Sequence, residues 1–470
     1  MKFTILSHAG MLVEADGIKL VSDPWILGSS YWRSWWNYPK AASFPTADVD
    51  FIYLTHMHWD HFHGPSLRKF PPTVTFLVPE APTRCIINDL QDFKFKSIVE
   101  LPHGKTLQLT PHLQVTSYQY GLNTDSALVI DDGRTVLLNM NDCKLAGGPL
   151  KQVLRRHPKI DFMFRSHSSA QPYPHCVDAE DKDDLRYRKN EDYVSDFVES
   201  AILVKPRYAV PFASNNCFLH RETFQFNQTV VNPLDVKTFF YRRKPAGTEC
   251  VVMVAGDSWD DQEEFRMREQ NFFVNKEHHL RKYAEEVAPV LEECYRREDA
   301  VSVSFRDFEN YFAAFMKSLP WFMPLVFKPV IVFETLGKSV SHWVLDFRQE
   351  KIYEATKGVP LPEYDLLFRV HSAVLRDCLQ KKMFTLFFPS KRLRIAIRKG
   401  RVKEYFIFEQ LFDLYEYGLL PLKESFNKRS LRVWRRRWRE AFYMVRLFAR
   451  VLFSGRDKEG LSSLVPRTTL

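Results

Sequence analysis

The sequence predicts an α/β chain. A four-layer αββα sandwich is expected over residues 1–265, an α+β domain over 266–427, and a basic amphipathic helix with its tail over 428–470. Three observations predict this. The early part reads as strands joined by Asp-Gly turns, helices then alternate with strands, and a loop rich in His and Asp ends a short buried strand.

Taken in order, Met11–Glu14 and Ile18–Val21 flank Asp16-Gly17, a two-residue hairpin signal. Phe51–Leu54 is a short buried strand that runs straight into the His-rich loop, and Val74–Val78 is another. Ala127–Ile130 and Thr135–Asn139 flank Asp132-Gly133, a second hairpin. Leu150–Arg156 is helical before the strand Asp161–Phe164, as is Tyr193–Leu203 before the strand Tyr208–Pro211. Residues 276–298 are charged and helical. Beyond them the strands Pro329–Phe333 and Val340–Phe347 mix with the helices Leu366–Gln380 and Phe406–Tyr417. The most apolar stretch, Tyr311–Phe333, is interrupted by Lys317, Lys328, Pro320, Pro324 and Pro329, so it is read as core rather than as a membrane span.

The net charge of +9 is concentrated at one end: residues 428–470 hold twelve Lys/Arg against three Asp/Glu, and the other residues balance at 54 of each sign. A neutral body argues against nucleic-acid binding. The seven cysteines are scattered without a C-x-x-C pair, which excludes a disulfide framework and a Cys-based zinc ribbon and predicts a reducing, cytoplasmic compartment. No secretory leader is expected, because Met1-Lys2 leads into only a brief apolar run, Phe3–Leu6. In the tail, Lys428–Phe453 places Leu431, Trp434, Trp438, Phe442, Val445, Ala449 and Leu452 on one helical face and arginines on the rest. Three roles fit that helix: peripheral contact with an anionic membrane surface, docking of an acidic partner protein, or packing on the body.

The chemistry concentrates in Thr55-His56-Met57-His58-Trp59-Asp60-His61. Imidazole and carboxylate suit zinc, iron or manganese, and this spacing lets one loop feed two divalent ions, His56 and His58 to one, Asp60 and His61 to its neighbour. Asp142, just past the strand Thr135–Asn139, is the natural bridging carboxylate. Asp60, His61 and Asp142 are therefore the expected catalytic residues, since paired ions polarise a substrate and activate a small oxygen species or water. His63 is expected at the start of a helix Pro65–Phe70 instead of on a metal. His8 and Asp23 are read as hydrogen-bonding supports behind the ligands, with a buried core histidine as the other reading of His8. Trp32, Trp35 and Trp36, with Tyr31 and Tyr38, crowd one loop that either walls a substrate cleft or packs beneath it.

These residues are those of the metallo-β-lactamase superfamily, so the αββα sandwich is identified with that fold. A closer resemblance is to the lactamase-fold domain of CMP-N-acetylneuraminate hydroxylase. It rests on Ser7–Glu14, Ser22–Gly28, Trp35-Trp36, Ile52–His61, Leu138–Cys143 and Pro206–Ala213 followed by His220. It covers about residues 7–225 and continues weakly to about 425. Hydrolases of this fold carry a His before the bridging Asp and another at a late strand end. The matching stretches here, Tyr118–Asp125 and Val210-Pro211-Phe212, carry none. The hydroxylases also lack the late strand-end His and have one at the position of His220. The resemblance thus implies Asp125 and His220 as completing ligands and His167, where the hydroxylases lack a His, as a weaker one.

The hydroxylase begins with a Rieske domain, which needs C-x-H and C-x-x-H. Only Cys217-Phe218-Leu219-His220 fits either pattern. Reductive chemistry would therefore take electrons from a separate Rieske-type ferredoxin or reductase. The expected function is a dinuclear-iron hydroxylase acting on a sugar-linked or N-acyl small molecule. The alternatives are a metal-dependent hydrolase of an ester, lactone or phosphodiester, using zinc or manganese as readily, and a non-catalytic metal-binding scaffold.

Overall fold

A computed structural model describes residues 1–121, 125–178, 190–243, 247–269, 271–356 and 358–442. Asp16 and Gly17 both take left-handed backbone, at φ 48° and 77°, and close a two-residue turn between Met11–Ala15 and Ile18–Ser22. These strands belong to an eight-stranded sheet, in the order Glu264–Arg266, Ser258–Asp260, Lys2–Ile5, Met11–Ala15, Ile18–Ser22, Phe51–Tyr53, Thr75–Pro79, Ile98–Leu101. A seven-stranded sheet faces it. Its middle strands are Gln114–Tyr120, Asp125–Asp131, Val136–Asn141, Phe162–Arg165 and Tyr208–Pro211.

The alternation of side chains along these strands builds three apolar layers. Phe3, Met11, Leu20 and Leu77 of one sheet meet Leu128, Leu137, Phe162 and Val210 of the other between the sheets. Val21, Ile52 and Phe76 turn outward to Leu67, Ile87 and Leu90 of short helices. Val129, Leu138 and Met163 turn outward to Leu150, Val153, Phe197 and Ala201 of the helices Gly147–Arg156 and Asn190–Val204. Helix, sheet, sheet, helix is the expected αββα sandwich.

A second sheet system follows in six strands, ordered Val177–Asp178, Leu393–Ile397, Leu366–His371, Val330–Leu336, Ser341–Asp346, Lys351–Glu354. Phe308, Phe312, Phe315, Phe384, Phe408 and Phe412 pack its helices onto one face around Phe333 and Phe368. Two sequence expectations change here. Leu366–Gln380 is not one helix: Leu366–His371 is a buried strand between two neighbours, and the His371 ring accepts from the Ala373 amide to start the helix Ser372–Lys381. The short run of apolar residues has no helical period of its own, and burial on both faces decides it.

The boundary at 265/266 is also blurred. Val177–Asp178 crosses from the first region into the second sheet. The long helix Lys276–Asp299 packs Leu280, Leu291 and Tyr295 back onto Trp36, Tyr38 and Val254.

The basic segment forms the helix Lys428–Arg436 and resumes over 438–442, while residues 443–453 of the expected helix lie outside the described residues. Of the expected apolar face, Leu431, Trp438 and Phe442 point away from the body. Ser430, Val433, Arg437 and Glu440 are buried, whereas Leu431, Trp438 and Phe442 are exposed. Acidic groups on the sandwich turn the helix: Arg429 pairs with Glu100, and Arg432 and Arg436 with Glu80. Among the described residues no helix is long and apolar enough to cross a membrane.

Candidate metal centre

The His-rich loop leaves the parallel strand Phe51–Tyr53, and Asp142 follows Val136–Asn141 of the facing sheet. Both segments therefore reach the same end of the sandwich. The sheets are fastened there by Tyr53, whose hydroxyl bonds Ser117 and Ser126, and by the Ser126 hydroxyl, which donates to the Thr55 carbonyl. Asp23 and Asn141 hold left-handed backbone at φ 43° and 50°, and the Asn141 amide donates to Asp23.

Around this frame the side chains are oriented one by one. Asp23 accepts from the Thr55 amide at 2.8 Å and its hydroxyl at 2.7 Å, and its Oδ2 lies 2.9 Å from His61 Nδ1. That contact turns His61 Nε2 toward Asp60 at 3.2 Å and Asp142 at 3.4 Å. This nitrogen is buried and makes no hydrogen bond. His56 Nε2 and His58 Nδ1 approach to 2.7 Å. Asp60 receives the Tyr31 hydroxyl at 2.5 Å and His8 Nε2 at 3.1 Å.

Two groups result, His8/Asp60/His61 and His56/His61/Asp142, each with ligand atoms within 4.8 Å of one another. Two ligands on one ion at about 2.1 Å lie at most roughly 4.2 Å apart, so small side-chain adjustments close either group on a metal. With the orphaned His61 nitrogen, this donor set fits divalent metal ions.

The electrostatics favour the metal-ready protonation state at His56, His58 and Asp60, whereas His61 has to give up a proton to an incoming ion. Burial pushes His56 and His58 down to about 4, leaving neutral imidazoles at physiological pH. Burial opposes ionisation of Asp60, but His61 and His8 outweigh it and hold its carboxyl well below the usual range. His61 is raised well above its usual range: burial lowers it, and Asp60 and Asp23 more than reverse that. Burial raises Asp125 to about 6, and His58, Asp142 and His61 are among the charges it feels, but it joins neither ligand group.

Other expected residues are placed differently. His220 joins neither group. It is buried against Tyr295, with Nε2 3.5 Å from Glu298 and Arg392 nearby, because the strand Asn216–Phe218 pairs with Trp35–Asn37 and leads toward the long helix. His167 is buried at the end of Phe162–Arg165 close enough to feel His8, yet both its ring nitrogens lack hydrogen-bond partners and it too joins neither group. Trp35 and Trp36 are buried, not walls of an open cleft. Trp35 donates to the Pro389 carbonyl, Trp36 to that of Arg33, and Trp32 to the Asp377 carboxylate. The loop's long-range partners lie in the second domain and consume its aromatics for packing. Trp32 and Trp59 stay half-buried, 5.0 Å apart. His63 stands just before the helix Gly64–Leu67, its Nδ1 2.7 Å from the Ser66 hydroxyl, and belongs to neither ligand group.

Sequence reasoning missed three contributors. His8 was placed behind the ligands but offers a ligand atom itself. The Tyr31 hydroxyl was seen only as one aromatic among several. Arg437 and Glu440, buried and paired with each other, grip both sides of Gly121: Glu440 accepts its amide at 2.6 Å, and Arg437 donates to its carbonyl at 2.8 Å. The signal for Tyr31 was its place in the loop after Asp23; nothing local signals the other pair.

No family model matches the chain. A protein of Mycobacterium tuberculosis named for a Rieske 2Fe-2S iron–sulfur centre is 26% identical over 322 residues, 62% of this chain and 61% of its own length. The chain thus spans less than two thirds of that relative. A like-named protein of Mycolicibacterium smegmatis is 24% identical over 86% of this chain and 83% of its own. The cytidine monophosphate-N-acetylneuraminic acid hydroxylase of Danio rerio is 27% identical over 30% of this chain and 25% of its own. Solved structures include an isothiocyanate hydrolase from Delia radicum gut bacteria (TM-score 0.42, 14% identity, 55% of this chain and 99% of that one). They also include the diiron β-hydroxylase CmlA of Streptomyces venezuelae (0.37, 14%, 53% and 52%) and the metallo-β-lactamase fold protein YhfI of Bacillus subtilis (0.34, 13%, 55% and 99%). The chain is similar to metallo-β-lactamase-fold proteins and, over a third of its length, to the hydroxylases.

Proposed function

We propose that this chain is a metal-dependent enzyme with a dinuclear centre, iron in its working form, that hydroxylates a sugar-linked or N-acyl small molecule with electrons from a separate Rieske-type protein. The observation that carries the reading is the donor set: Asp60 and Asp142 stand with the imidazoles of the loop, Asp125 lies within their electrostatic reach, and the late strand ends in buried Phe212 where hydrolases of this fold place a His. Carboxylates mixed with imidazoles suit iron. His56, His61 and Asp142 form one group that would hold an ion, and His8 and Asp60, with His61 between, the other; His58, 2.7 Å from His56, and Asp125 stand outside both. Bound iron would supply the redox chemistry that dioxygen needs, which zinc lacks.

The chain's own residues do the positioning. Asp23 and Thr55 fix His61. Tyr31 stays a neutral donor, since burial and Asp60 raise its hydroxyl well above the usual range, and with His8 it locks the Asp60 carboxylate. Half-buried Trp32 and Trp59, beside Tyr31, offer a stacking wall for substrate.

A second reading, hydrolysis of an ester, lactone or phosphodiester, draws on the neutral His56 and His58, which take zinc equally well. Metal analysis of protein purified without added metal, followed by parallel assays, separates the two. The oxygenase reading expects iron and turnover only with dioxygen, a reductase and a Rieske-type ferredoxin. Full hydrolytic turnover with zinc under anaerobiosis sinks it.

A further inference from the structure

The terminal helix is fastened to the sandwich through charge and leaves its apolar residues in solvent. Arg429, Arg432 and Arg436 reach Glu100 and Glu80, and Arg437 pairs with Glu440 over Gly121. On the opposite side Leu431 is 56%, Trp438 60% and Phe442 68% exposed. At 3.6 residues per turn, Lys428, Leu431, Arg435, Trp438, Arg439 and Phe442 fall within an arc of roughly 100°. The backbone bonds from Arg437 to Val433 and from Ala441 to Arg437 carry that register through the turn at 437. Lys428, Arg435 and Arg439 have no carboxylate in ion-pair range among the described residues. The Arg439 guanidinium lies over the Trp438 ring at 5.3 Å. Phe426, just before the helix, is 71% exposed as well.

We propose that this outward face is a docking surface for an anionic phospholipid bilayer, with Leu431, Trp438 and Phe442 entering the headgroup–acyl boundary and Lys428, Arg435 and Arg439 meeting lipid phosphates. Two arguments favour a bilayer over a protein. The face is a convex ridge of one helix, and a bilayer accepts such a ridge about 5–10 Å deep, whereas the anchors of protein partners sit in complementary pockets. The interleaving of aromatic rings with guanidinium groups also matches the two zones of a lipid interface, apolar below and phosphate above. The inward salt bridges explain why the ridge does not fold back: turning it over would strand Glu80 and Glu100 against apolar side chains. This surface is independent of the reaction the metal centre performs.

The test is sedimentation of the full chain with phosphatidylcholine vesicles, with and without phosphatidylserine. The wild type is expected to pellet with the phosphatidylserine vesicles at low salt, to release at high salt, and to stay in solution with phosphatidylcholine alone. Trp438→Ser with Phe442→Ser, and separately Arg435→Glu with Arg439→Glu, should each lower partition about tenfold or more. Because all four side chains are exposed, denaturation midpoints should not move. Wild-type protein left in the supernatant at low salt, or variants that pellet like the wild type, would overturn the proposal. So would variants that lose binding to an acidic ferredoxin while vesicle binding is unchanged.

Discussion

In the sandwich, Asp23, Asp60, His61 and Asp142 crowd one point, and nitrogens of His8, His61 and His167 are left without hydrogen-bond partners. Arg392, at the seam with the second domain, lies just as deep but is saturated: it donates to Glu222, to Glu298 and to the Trp32 carbonyl. Glu416 is likewise occupied, accepting from the Phe384 and Thr385 amides and the Tyr311 hydroxyl. Depth of burial therefore does not distinguish a functional polar group from a structural one. Between these two places the difference is whether the partners already present complete the group.

The contrast breaks most visibly at His61. His61→Ala should abolish bound metal at one position or both and reduce turnover by orders of magnitude, read by metal stoichiometry and assay, while the denaturation midpoint of metal-free protein moves little. A folded variant with full metal content would contradict the contrast on its functional side. Arg392→Ala should do the reverse. It leaves buried Glu298 and half-buried Glu222 without their cation, which costs about 3–5 kcal/mol, seen as a lower midpoint in urea, yet the metal bound per folded molecule should not change.

A smaller effect sharpens the structural side. Burial and the neighbouring Asp413 raise Glu409 from 4.5 to about 8. A carboxyl raised in the folded state favours folding while protonated, so its contribution is present in full below pH 4.5 and is lost as pH rises through about 8. Glu409→Gln should therefore stabilise the protein at pH 8 relative to wild type, by roughly 1–3 kcal/mol, with the difference fading toward pH 4.5. A difference independent of pH would mean that Glu409 is ionised in the native state.

The sandwich and its loop were legible because their signals are short-range. Asp16-Gly17 announces its own hairpin, and four potential ligands within six residues after a buried strand announce a metal loop. Asp142 was legible because the end of the Val136–Asn141 strand fixes where it points. What failed depended on partners far away in sequence. His220 resembled a ligand until Glu298 took it, Trp35 resembled a cleft wall until Pro389 did, and which way the terminal helix faces stayed open until Glu80 and Glu100 fixed it. In each case the competing partner is 78 or more residues distant, and no local pattern encodes it.

The grip of Arg437 and Glu440 on Gly121 also sets an order of events in the cell. Gly121 and Arg437 are separated by 316 positions. At about 5–20 residues per second, on the order of 15–60 s pass between the synthesis of one and the other. Throughout that interval the nascent sandwich displays its imidazoles with the Gly121 peptide still unclasped. A chain cut short before Arg437 would carry every residue of the donor set but lack the clasp that closes beside them.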